Sequence, residues 1–225
     1  MTQARLVALL GHPVAGSLSP QMQNAAFAAR GLYWSYVALD IEPADFAAAV
    51  HALPGEGFVG ANVTMPHKRA AAELAESDLE SVNTFVFEGD RIAGYSTDAA
   101  ILSGLPVERP VILGDGGAAL AFRAALPQAR VFARRGDWPP AAGDADLVVN
   151  ATSERDDVLV RLVAGQTLVD LPYPETATAR AAAEAGARVV SGLEVLVAQG
   201  AASFELWTGA PAPVEVMRRA VGLSA

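Results

Sequence analysis

One short stretch of the sequence brings together three side chains that can take part in polar chemistry. Residues 60–68 read GANVTMPHK, in which Asn62, Thr64 and Lys68 supply an amide, a hydroxyl and an ammonium group. Gly60 allows the backbone to bend where a side chain would clash, and a proline near the end of the stretch fixes φ just before a helix can start. A hydrophobic core would not use polar groups this way, because each buried one needs a hydrogen-bond partner. The stretch is either a ligand-binding turn or an ordinary strand-to-helix turn with a solvated lysine.

A glycine-rich turn in the second half of the chain predicts a different kind of binding. The apolar segment 111–113 is followed by Gly114, Gly116 and Gly117 and then by a helix-forming stretch. Glycines at such a turn allow the backbone to approach a pyrophosphate, whose charge is favoured at a helix N-terminus. The spacing departs from the usual three-glycine form, so a plain glycine-rich turn in a doubly wound sheet stays open as the alternative.

The next predicted strand ends on Ala133, Arg134 and Arg135, where an NAD-binding protein would carry an acidic residue roughly 20 residues past the first glycine. Guanidinium groups suit a 2′-phosphate, so the pattern favours NADP, with a solvated arginine pair as the alternative. Asp115 argues against phosphate binding, because its carboxylate would repel a pyrophosphate unless it points outward.

Composition excludes several classes of protein. The 225-residue chain has no cysteine and three scattered histidines, so neither a disulfide nor a metal site is expected. The net charge of −9 argues against nucleic acid and anionic membrane as partners. No apolar run approaches the roughly 18 residues of a membrane span, and the polar turn at Gly11 comes too early for a signal peptide. We therefore expect a soluble, cytoplasmic protein, which could bind a small anionic ligand only through local hydrogen-bond donors that outweigh the overall negative charge.

The first part of the chain alternates between strand-like and helix-like segments, which predicts parallel strands joined by helical crossovers. Ser19 resembles a helix N-cap because Pro20 follows it. Strands are expected at 5–10, 36–40 and from 58 to the turn at Pro66, with helices at 19–30, about 43–53 and about 68–79, and a hairpin at 82–87 and 91–95.

A second alternating unit begins near residue 109. Its predicted strands are 111–113, 129–133, 146–150, 167–170 and 186–190; helices are expected up to about 126, at about 176–185, at about 193–207 and up to 221. The pattern is that of an α/β protein.

Eight segments occurring in order along the chain together resemble the shikimate dehydrogenase family. They are 17–20 with Asn24, 60–68, 82–84, 97–98, 114–118, 150–152, 192–199 and 204–209. The resemblance implies a two-domain α/β fold: a substrate-binding domain with a mostly parallel sheet at 1–98, completed by helices at about 198–225, and a Rossmann-like NADP-binding domain at 99–197. It also implies the reversible reduction of 3-dehydroshikimate to shikimate by NADPH, a step towards chorismate and the aromatic amino acids.

Carried over residue by residue, the resemblance implies roles for these side chains. Lys68 would be the principal acid/base, with Asp98 beside the same substrate oxygen, and Asn62 would hold the shape of the turn. The implied substrate contacts are Ser17 and Ser19 to the carboxylate, and Thr64, Asn83, Tyr173 and Gln199 to the carboxylate or ring hydroxyls. The implied cofactor contacts are Gly114, Gly116, Gly117 and Ala118 to the pyrophosphate, Arg134 to the 2′-phosphate, and Leu171 and Gly192 at the nicotinamide.

The chain also departs from the family pattern. Segments 69–82 and 98–110 are short, Trp138 lies near an expected second basic position, and Glu154 begins a charged run in place of a glycine. Gly16, Gln23 and Ser96 replace residues that are common in the family. These departures place cofactor preference, affinity and domain closure in question. Two alternative functions stay open: a quinate/shikimate dehydrogenase that uses NAD and a ligand-binding homologue without turnover. The sequence also leaves open whether the protein is a monomer or a homodimer.

Overall fold

The computed structural model describes residues 4–224, which divide into two compact units. One unit is Met1–Thr97 together with Val197–Ala225, and the other is Asp98–Leu196. The sequence predicts a substrate domain at 1–98 with 198–225 and a dinucleotide domain at 99–197, and the functions of the two domains stay predictions. Residues 1–3 and 225, at the ends of these ranges, lie outside the described residues.

The first unit contains a five-stranded mixed sheet in the order β2-β1-β3-β4-β5. Its strands are β1 (Arg5–Gly11), β2 (Trp34–Asp40), β3 (Phe58–Val63), β4 (Thr84–Glu88) and β5 (Arg91–Tyr95). β1 pairs in parallel with β2 and β3, whereas β4 is antiparallel to both β3 and β5. Because parallel strands need crossovers and a hairpin does not, the helices fall between the first three strands, as expected.

The helices of this unit are short apart from one. They are α1 (Ser19–Ala29), α2 (Phe46–Ala52) followed by a 3-10 turn (Leu53–Glu56), α3 (Lys68–Leu74), the later part of α6 (Gly192–Thr208) and α7 (Val214–Ala220). One core cluster joins buried residues such as Leu10, Val50, Ala61 and Phe85. The α1 and α6 helices meet where Phe27 stacks on Phe204, with ring centroids 5.5 Å apart.

Two predictions about helix boundaries are wrong. The helix expected to reach Leu79 ends at Leu74, because Ala75 is extended and the Glu76 N–H donates to the Ile92 carbonyl at 2.9 Å, which draws the chain onto the edge of β5. The α1 helix begins at Ser19 itself, so Leu18 and not Ser19 occupies the N-cap position.

The second unit contains five strands in the order β10-β9-β8-β6-β7, all parallel. The strands are β6 (Pro110–Leu113), β7 (Arg130–Phe132), β8 (Leu147–Asn150), β9 (Thr167–Asp170) and β10 (Arg188–Val190), with helices α4 (Gly117–Ala125) and α5 (Ala177–Glu184) between them. The central strands β6, β8 and β9 are buried throughout. Parallel strands covered on both faces are apolar along their whole length, which explains their uninterrupted hydrophobic sequences.

The core of this unit lies on both faces of its sheet. Val111 and Val148 belong to one buried cluster, and Ile112 and Val149 to another, because successive side chains of a strand point to opposite faces. The α/β class predicted from the sequence is confirmed, with one mixed and one parallel sheet. Within residues 4–224, no helix is both long and apolar enough to cross a membrane, and no cluster of His, Asp and Glu side chains is suited to a metal ion.

Candidate active site

Two loops lie side by side at the carboxyl ends of β1 and β3. The Thr64 N–H donates to the Leu10 carbonyl at 2.8 Å, and the His12 N–H donates to the Met65 carbonyl at 3.0 Å. These bonds join the loop that carries Ser17 to the turn that carries Thr64. Carboxyl ends of parallel strands are where loops of α/β proteins collect ligands, so this edge is the candidate substrate site of the first unit.

The serine pair is organised by its own hydrogen bond. The Ser19 N–H, at the start of α1, donates to Ser17 Oγ at 3.2 Å. Ser17 is half-buried and Ser19 is buried. The pair therefore places hydroxyl groups beside the N-terminus of an eleven-residue helix, where an anion is favoured.

Lys68 is the first residue of α3, and the residue before it, His67, anchors the start of this helix. His67 is buried, its Nε2 is 2.8 Å from the Ile41 carbonyl oxygen, and its ring stacks on Phe46 with centroids 4.4 Å apart. The Lys68 carbonyl in turn accepts a 3.0 Å hydrogen bond from the Val82 N–H. The backbone of this lysine is thus held from both sides, while its side chain is half-buried. A cation at a helix N-terminus gains nothing from the helix dipole, so helix stability does not explain its position.

Asn62 belongs to a buried polar network. Tyr36 Oη donates to Asn62 Oδ1 at 2.9 Å, and Asn62 Nδ2 donates to Thr84 Oγ1 at 3.0 Å and to Ser203 Oγ at 2.9 Å. Asn62 is only 4% exposed. Its structural role agrees with the sequence-based interpretation, but the premise that a core would not use such a group is wrong here, because every partner is supplied from within the unit.

Asn83 lies next to this network. Its Nδ2 donates to Thr97 Oγ1 at 2.9 Å, and its Oδ1 accepts from the Thr97 N–H at 2.7 Å. Gln199, on α6, is half-buried, and its carbonyl accepts a 3.0 Å hydrogen bond from Ser203 Oγ. Ser203 therefore links the helix of Gln199 to the strands beside Asn83. It has no motif of its own, and sequence reasoning missed it.

Gly60 is required by close packing and not by a bend. It lies inside β3, and a Cβ atom there would lie 2.5 Å from the Phe85 carbonyl oxygen and would clash with the Trp207 indole. That indole donates from Nε1 to the same carbonyl at 2.9 Å. The glycine predicted from the motif thus makes room for a side chain of α6.

An ion pair supports the loop that carries the serines, and sequence reasoning did not find it. His12 Nδ1 is 2.5 Å from Asp40 Oδ1, and Asp40 Oδ2 accepts from the Val14 N–H at 3.4 Å. The hydrogen bond to Asp40 raises the pKa of His12, with a further contribution from Glu42. The same bond lowers the pKa of Asp40. Asp40, at the end of β2, thereby holds the first residues of the loop.

In the second unit, the glycine turn follows β6 as predicted. Gly114 has φ +114°, which favours glycine, and a Cβ there would lie 2.9 Å from the Ala151 carbonyl oxygen. Gly116 is the N-cap of α4 and makes no side-chain cap, Gly117 and Ala118 form the first turn, and Asp115 is exposed. A helix N-terminus that is reached by a turn of three glycines, with Asp115 exposed between them, fits a pyrophosphate.

Arg134 follows β7 and is engaged with acidic side chains. Its Nη2 is 3.1 Å from Glu154 Oε2 and 3.9 Å from Asp157 Oδ2. Its guanidinium carbon lies 6.0 Å from the centroid of the Trp138 ring. The residue predicted to bind a 2′-phosphate therefore already has an anionic partner.

Leu171 and Gly192, which were predicted at the nicotinamide, come together. A Cβ on Gly192 would lie 2.5 Å from the Leu171 carbonyl oxygen and would clash with the Pro172 carbonyl, so only glycine allows α6 to start here. Tyr173 is half-buried, and its carbonyl accepts a 2.5 Å hydrogen bond from Arg155 Nη2.

Two aspartates of the second unit complete the description. Asp98 is buried and begins a 3-10 turn (Asp98–Leu102). Asp170, at the end of β9, is 1% exposed and accepts from Asn150 Nδ2 at 2.7 Å. Burial raises the pKa of Asp170 despite its hydrogen bonds to Asn150 and Thr176. The structure thus adds a buried carboxyl group that no motif indicated.

Comparison with protein families gives two matches. The model described as "Shikimate dehydrogenase substrate binding domain" matches residues 9–84, and the model described as "Shikimate 5'-dehydrogenase C-terminal domain" matches residues 192–221. The first match contains the serine loop and the Lys68 turn, and the second covers the whole of α6 and α7.

Curated relatives match over nearly the full length. A protein of Anaeromyxobacter sp. (strain Fw109-5), named shikimate dehydrogenase (NADP(+)), is 40% identical, with 96% of this chain and 95% of the relative covered. A protein of the same name from Moorella thermoacetica is 42% identical, with 95% and 91% covered.

Solved structures agree in fold. Shikimate dehydrogenase from Aquifex aeolicus superposes with a TM-score of 0.88 at 29% identity, with 99% of each chain covered. Shikimate 5-dehydrogenase from Thermus thermophilus, solved in complex with NADP(H) and shikimate, superposes with a TM-score of 0.85 at 31% identity, with 96% of this chain and 98% of that chain covered.

Proposed function

Since the chain belongs to the shikimate dehydrogenase family, we propose that it catalyses the reversible, NADPH-dependent reduction of 3-dehydroshikimate to shikimate. The observation that carries the proposal is the pairing of the Ser17 loop with the Thr64–Lys68 turn at one edge of the first sheet. This pairing supports the proposal because one loop carries hydroxyl groups and the other ends at an ammonium-bearing residue, and a substrate with a carboxylate and a reacting oxygen requires both.

The carboxylate of the substrate is assigned to Ser17 and Ser19. Hydroxyl donors beside a helix N-terminus can hold an anion on a protein whose net charge is −9, because their effect is local. Thr64 and Asn83 belong to the same unit and are assigned to the ring hydroxyls or carboxylate. Tyr173 and Gln199 are assigned to the same class of contact.

Proton transfer is assigned to Lys68, with Asp98 as its partner on the substrate. As the carbonyl oxygen gains negative charge during reduction, an ammonium group stabilises that charge and then delivers a proton to the oxygen. In the reverse direction the neutral amine accepts the proton of the hydroxyl group. Asp98 is assigned to orienting the substrate hydroxyl group.

NADPH is assigned to the second unit. Gly114, Gly116, Gly117 and Ala118 would hold its pyrophosphate at the start of α4, Arg134 would contact its 2′-phosphate, and Leu171 and Gly192 would border its nicotinamide. The bound cofactor supplies the hydride. The first unit then serves as the substrate domain and the second as the dinucleotide domain, within the bounds expected from the sequence.

The decisive experiment follows NADPH absorbance with 3-dehydroshikimate for the wild type and for Lys68→Ala. Removing a group that transfers a proton is expected to lower kcat by about 10²–10⁴-fold with a small change in KM. The matched control is Arg69→Ala, which removes the neighbouring exposed positive charge and is expected to retain activity. A Lys68→Ala variant with wild-type kcat would contradict the assignment.

The same assay separates the alternatives. A higher kcat/KM with quinate and NADH would identify a quinate/shikimate dehydrogenase that uses NAD. Absence of turnover in the wild type, with shikimate still bound in calorimetry, would identify a ligand-binding homologue.

The proposal also concerns the location and the oligomeric state of the protein. A biosynthetic reaction that uses NADPH is expected in the cytoplasm. Every group with an assigned role lies on one chain, so the reaction is expected in a monomer as well as in a homodimer.

A further inference from the structure

Glu154 occupies a set of hydrogen-bond donors that is suited to a phosphate group. Its Oε1 accepts from the backbone N–H groups of Arg155, Asp156 and Asp157 at 3.0, 3.1 and 3.4 Å. Its Oε2 accepts from Arg134 Nη2 at 3.1 Å. Successive backbone N–H groups that converge on one point, together with a guanidinium, form an anion site of the kind that binds phosphates.

The carboxylate of Glu154 is charged at neutral pH. Its pKa is lowered, first by the hydrogen bond from the Asp156 N–H and then by those from the Asp157 and Arg155 N–H groups and by the charge of Arg134, which together outweigh burial. Its side chain is 24% exposed, compared with 61% for Arg134. The glutamate side chain is thus held more firmly by its surroundings than the arginine side chain, which reaches it from the neighbouring loop.

The pair lies beside the glycine turn. Arg134 follows β7 and Glu154 follows β8, and these strands flank β6, which ends just before Gly114. Adjacent strands are about 4.8 Å apart, so β7 and β8 lie about 10 Å apart, a distance that the long side chains of Arg134 and Glu154 bridge. The Gly114 N–H also donates to the Phe132 carbonyl at 2.8 Å, which fixes the start of the Arg134 loop against the turn.

We propose that Glu154 is a specificity-determining residue that competes with the 2′-phosphate of the cofactor for Arg134. The inference rests on the proposed function only in assigning Arg134 to that phosphate. In the free protein the carboxylate forms an ion pair with the guanidinium, and this ion pair must open before a 2′-phosphate can bind. The free energy of opening therefore reduces the binding free energy that the 2′-phosphate contributes. The consequence is weak discrimination between NADPH and NADH. Glu154, which begins the charged run that replaces the expected glycine, is the cause.

The test measures binding of two nicotinamide-free probes, adenosine 2′,5′-bisphosphate and 5′-AMP, by calorimetry at low salt. The ratio of their Kd values reports the 2′-phosphate alone and needs no turnover. Glu154→Gln keeps an oxygen that can accept the three backbone N–H groups but removes the charge. We expect the preference for the bisphosphate to rise about three- to fivefold, because the Arg134 side chain is 61% exposed and an exposed ion pair is worth at most about 1 kcal/mol.

Two controls sharpen the result. Asp156→Asn removes an exposed negative charge from the same loop without releasing Arg134, and its Kd ratio is expected to stay within about twofold of the wild type. Arg134→Gln combined with Glu154→Gln is expected to abolish the gain. Thermal unfolding of each variant verifies that the loop remains folded.

Three results would overturn the inference: an unchanged Kd ratio in folded Glu154→Gln, an equal gain in Asp156→Asn, or no binding of either probe to any of the proteins. Failure of the proposed function is a separate outcome. In that case 3-dehydroshikimate is not turned over, while the Glu154→Gln variant still binds the bisphosphate more tightly.

Discussion

Replacing Gly60 with alanine perturbs one point at which β3, β4 and α6 meet. The new Cβ would lie 2.5 Å from the Phe85 carbonyl oxygen, well inside the contact distance of about 3.5 Å, and would clash with the Trp207 indole. Neither neighbour can move easily, since one is strand backbone and the other is a buried ring that is 7% exposed. The indole must therefore leave its 2.9 Å hydrogen bond to Phe85.

The magnitude follows from two contributions. Leaving a buried carbonyl without its donor costs about 1–3 kcal/mol, and forcing an extra methyl group into a packed core costs about 1–3 kcal/mol. The expected loss of about 2–6 kcal/mol in the free energy of unfolding corresponds to about 2–4 °C in Tm per kcal/mol for a chain of this size. Gly60→Ala should therefore unfold at least about 4 °C below the wild type.

Differential scanning calorimetry measures the effect, with Gly55→Ala as the matched control, because a Cβ at Gly55 meets nothing within 4 Å. The control is expected to change the free energy by less than about 1 kcal/mol. In a Trp207→Phe background, which lacks the indole hydrogen bond, Gly60→Ala should cost less than in the wild type. A Gly60→Ala protein that unfolds within about 1 °C of the control would refute the reasoning.

Two further predictions concern charges and hydrogen bonds in the same unit. The His12–Asp40 pair stabilises the fold only while the histidine is charged and the carboxylate ionised, so its contribution is present between the unfolded pKa values of 3.8 and 6.5. It is lost as the pH falls through the lowered pKa of Asp40 or rises through the raised pKa of His12. Asp40→Asn should lower Tm most between about pH 4 and 6.5. NMR titration of the variant should show the pKa of His12 moved back towards 6.5. A difference in Tm between variant and wild type that is independent of pH would contradict this prediction. Ser203→Ala should lower the free energy of unfolding in urea by about 1–3 kcal/mol, since Asn62 loses a buried acceptor. The control Ser35→Ala, at an exposed position, should lower it by less than about 0.5 kcal/mol. Equal losses in the two variants would argue against the network.

Features set by neighbouring residues could be predicted from the sequence. The glycine turn after β6 is an example, because a buried apolar strand, a positive φ at Gly114 and a helix start are all local. The same holds for the alternation of strands and helices in both units. The family resemblance added the roles of Lys68 and the serines, which no local pattern distinguishes from a surface turn.

Features that depend on distant residues could not be predicted. The end of α3 is set by a bond from Glu76 to Ile92, on a strand that follows later in the chain. Asn62 and Ser203 are 141 positions apart, so nothing local to either indicates that they meet. Glu154 was noted as a departure from the family pattern, but its partner Arg134 lies 20 positions away, on the loop of another strand. Pairing across strands decides each of these features.

The division of the chain into Met1–Thr97 with Val197–Ala225 on one side and Asp98–Leu196 on the other has a consequence for biosynthesis. The unit whose synthesis starts first is completed last. Residues of α6 such as Ser203, Phe204 and Trp207 complete the packing of the first unit, and they leave the ribosome only after the whole intervening unit.

At about 5–20 residues per second, the nascent first sheet waits about 5–20 s for them. During that time Asn62 lacks the Ser203 hydroxyl, Phe27 lacks the ring of Phe204, and the Phe85 carbonyl lacks the indole. The newly made strands are then open to misassembly and to chaperones, whereas residues 98–196 can fold as soon as they emerge. Gly60→Ala would hinder the docking of α6 after it has been made and so extend the vulnerable interval beyond the time set by translation. Its effect on the yield of protein in a cell should therefore exceed its effect on the purified fold.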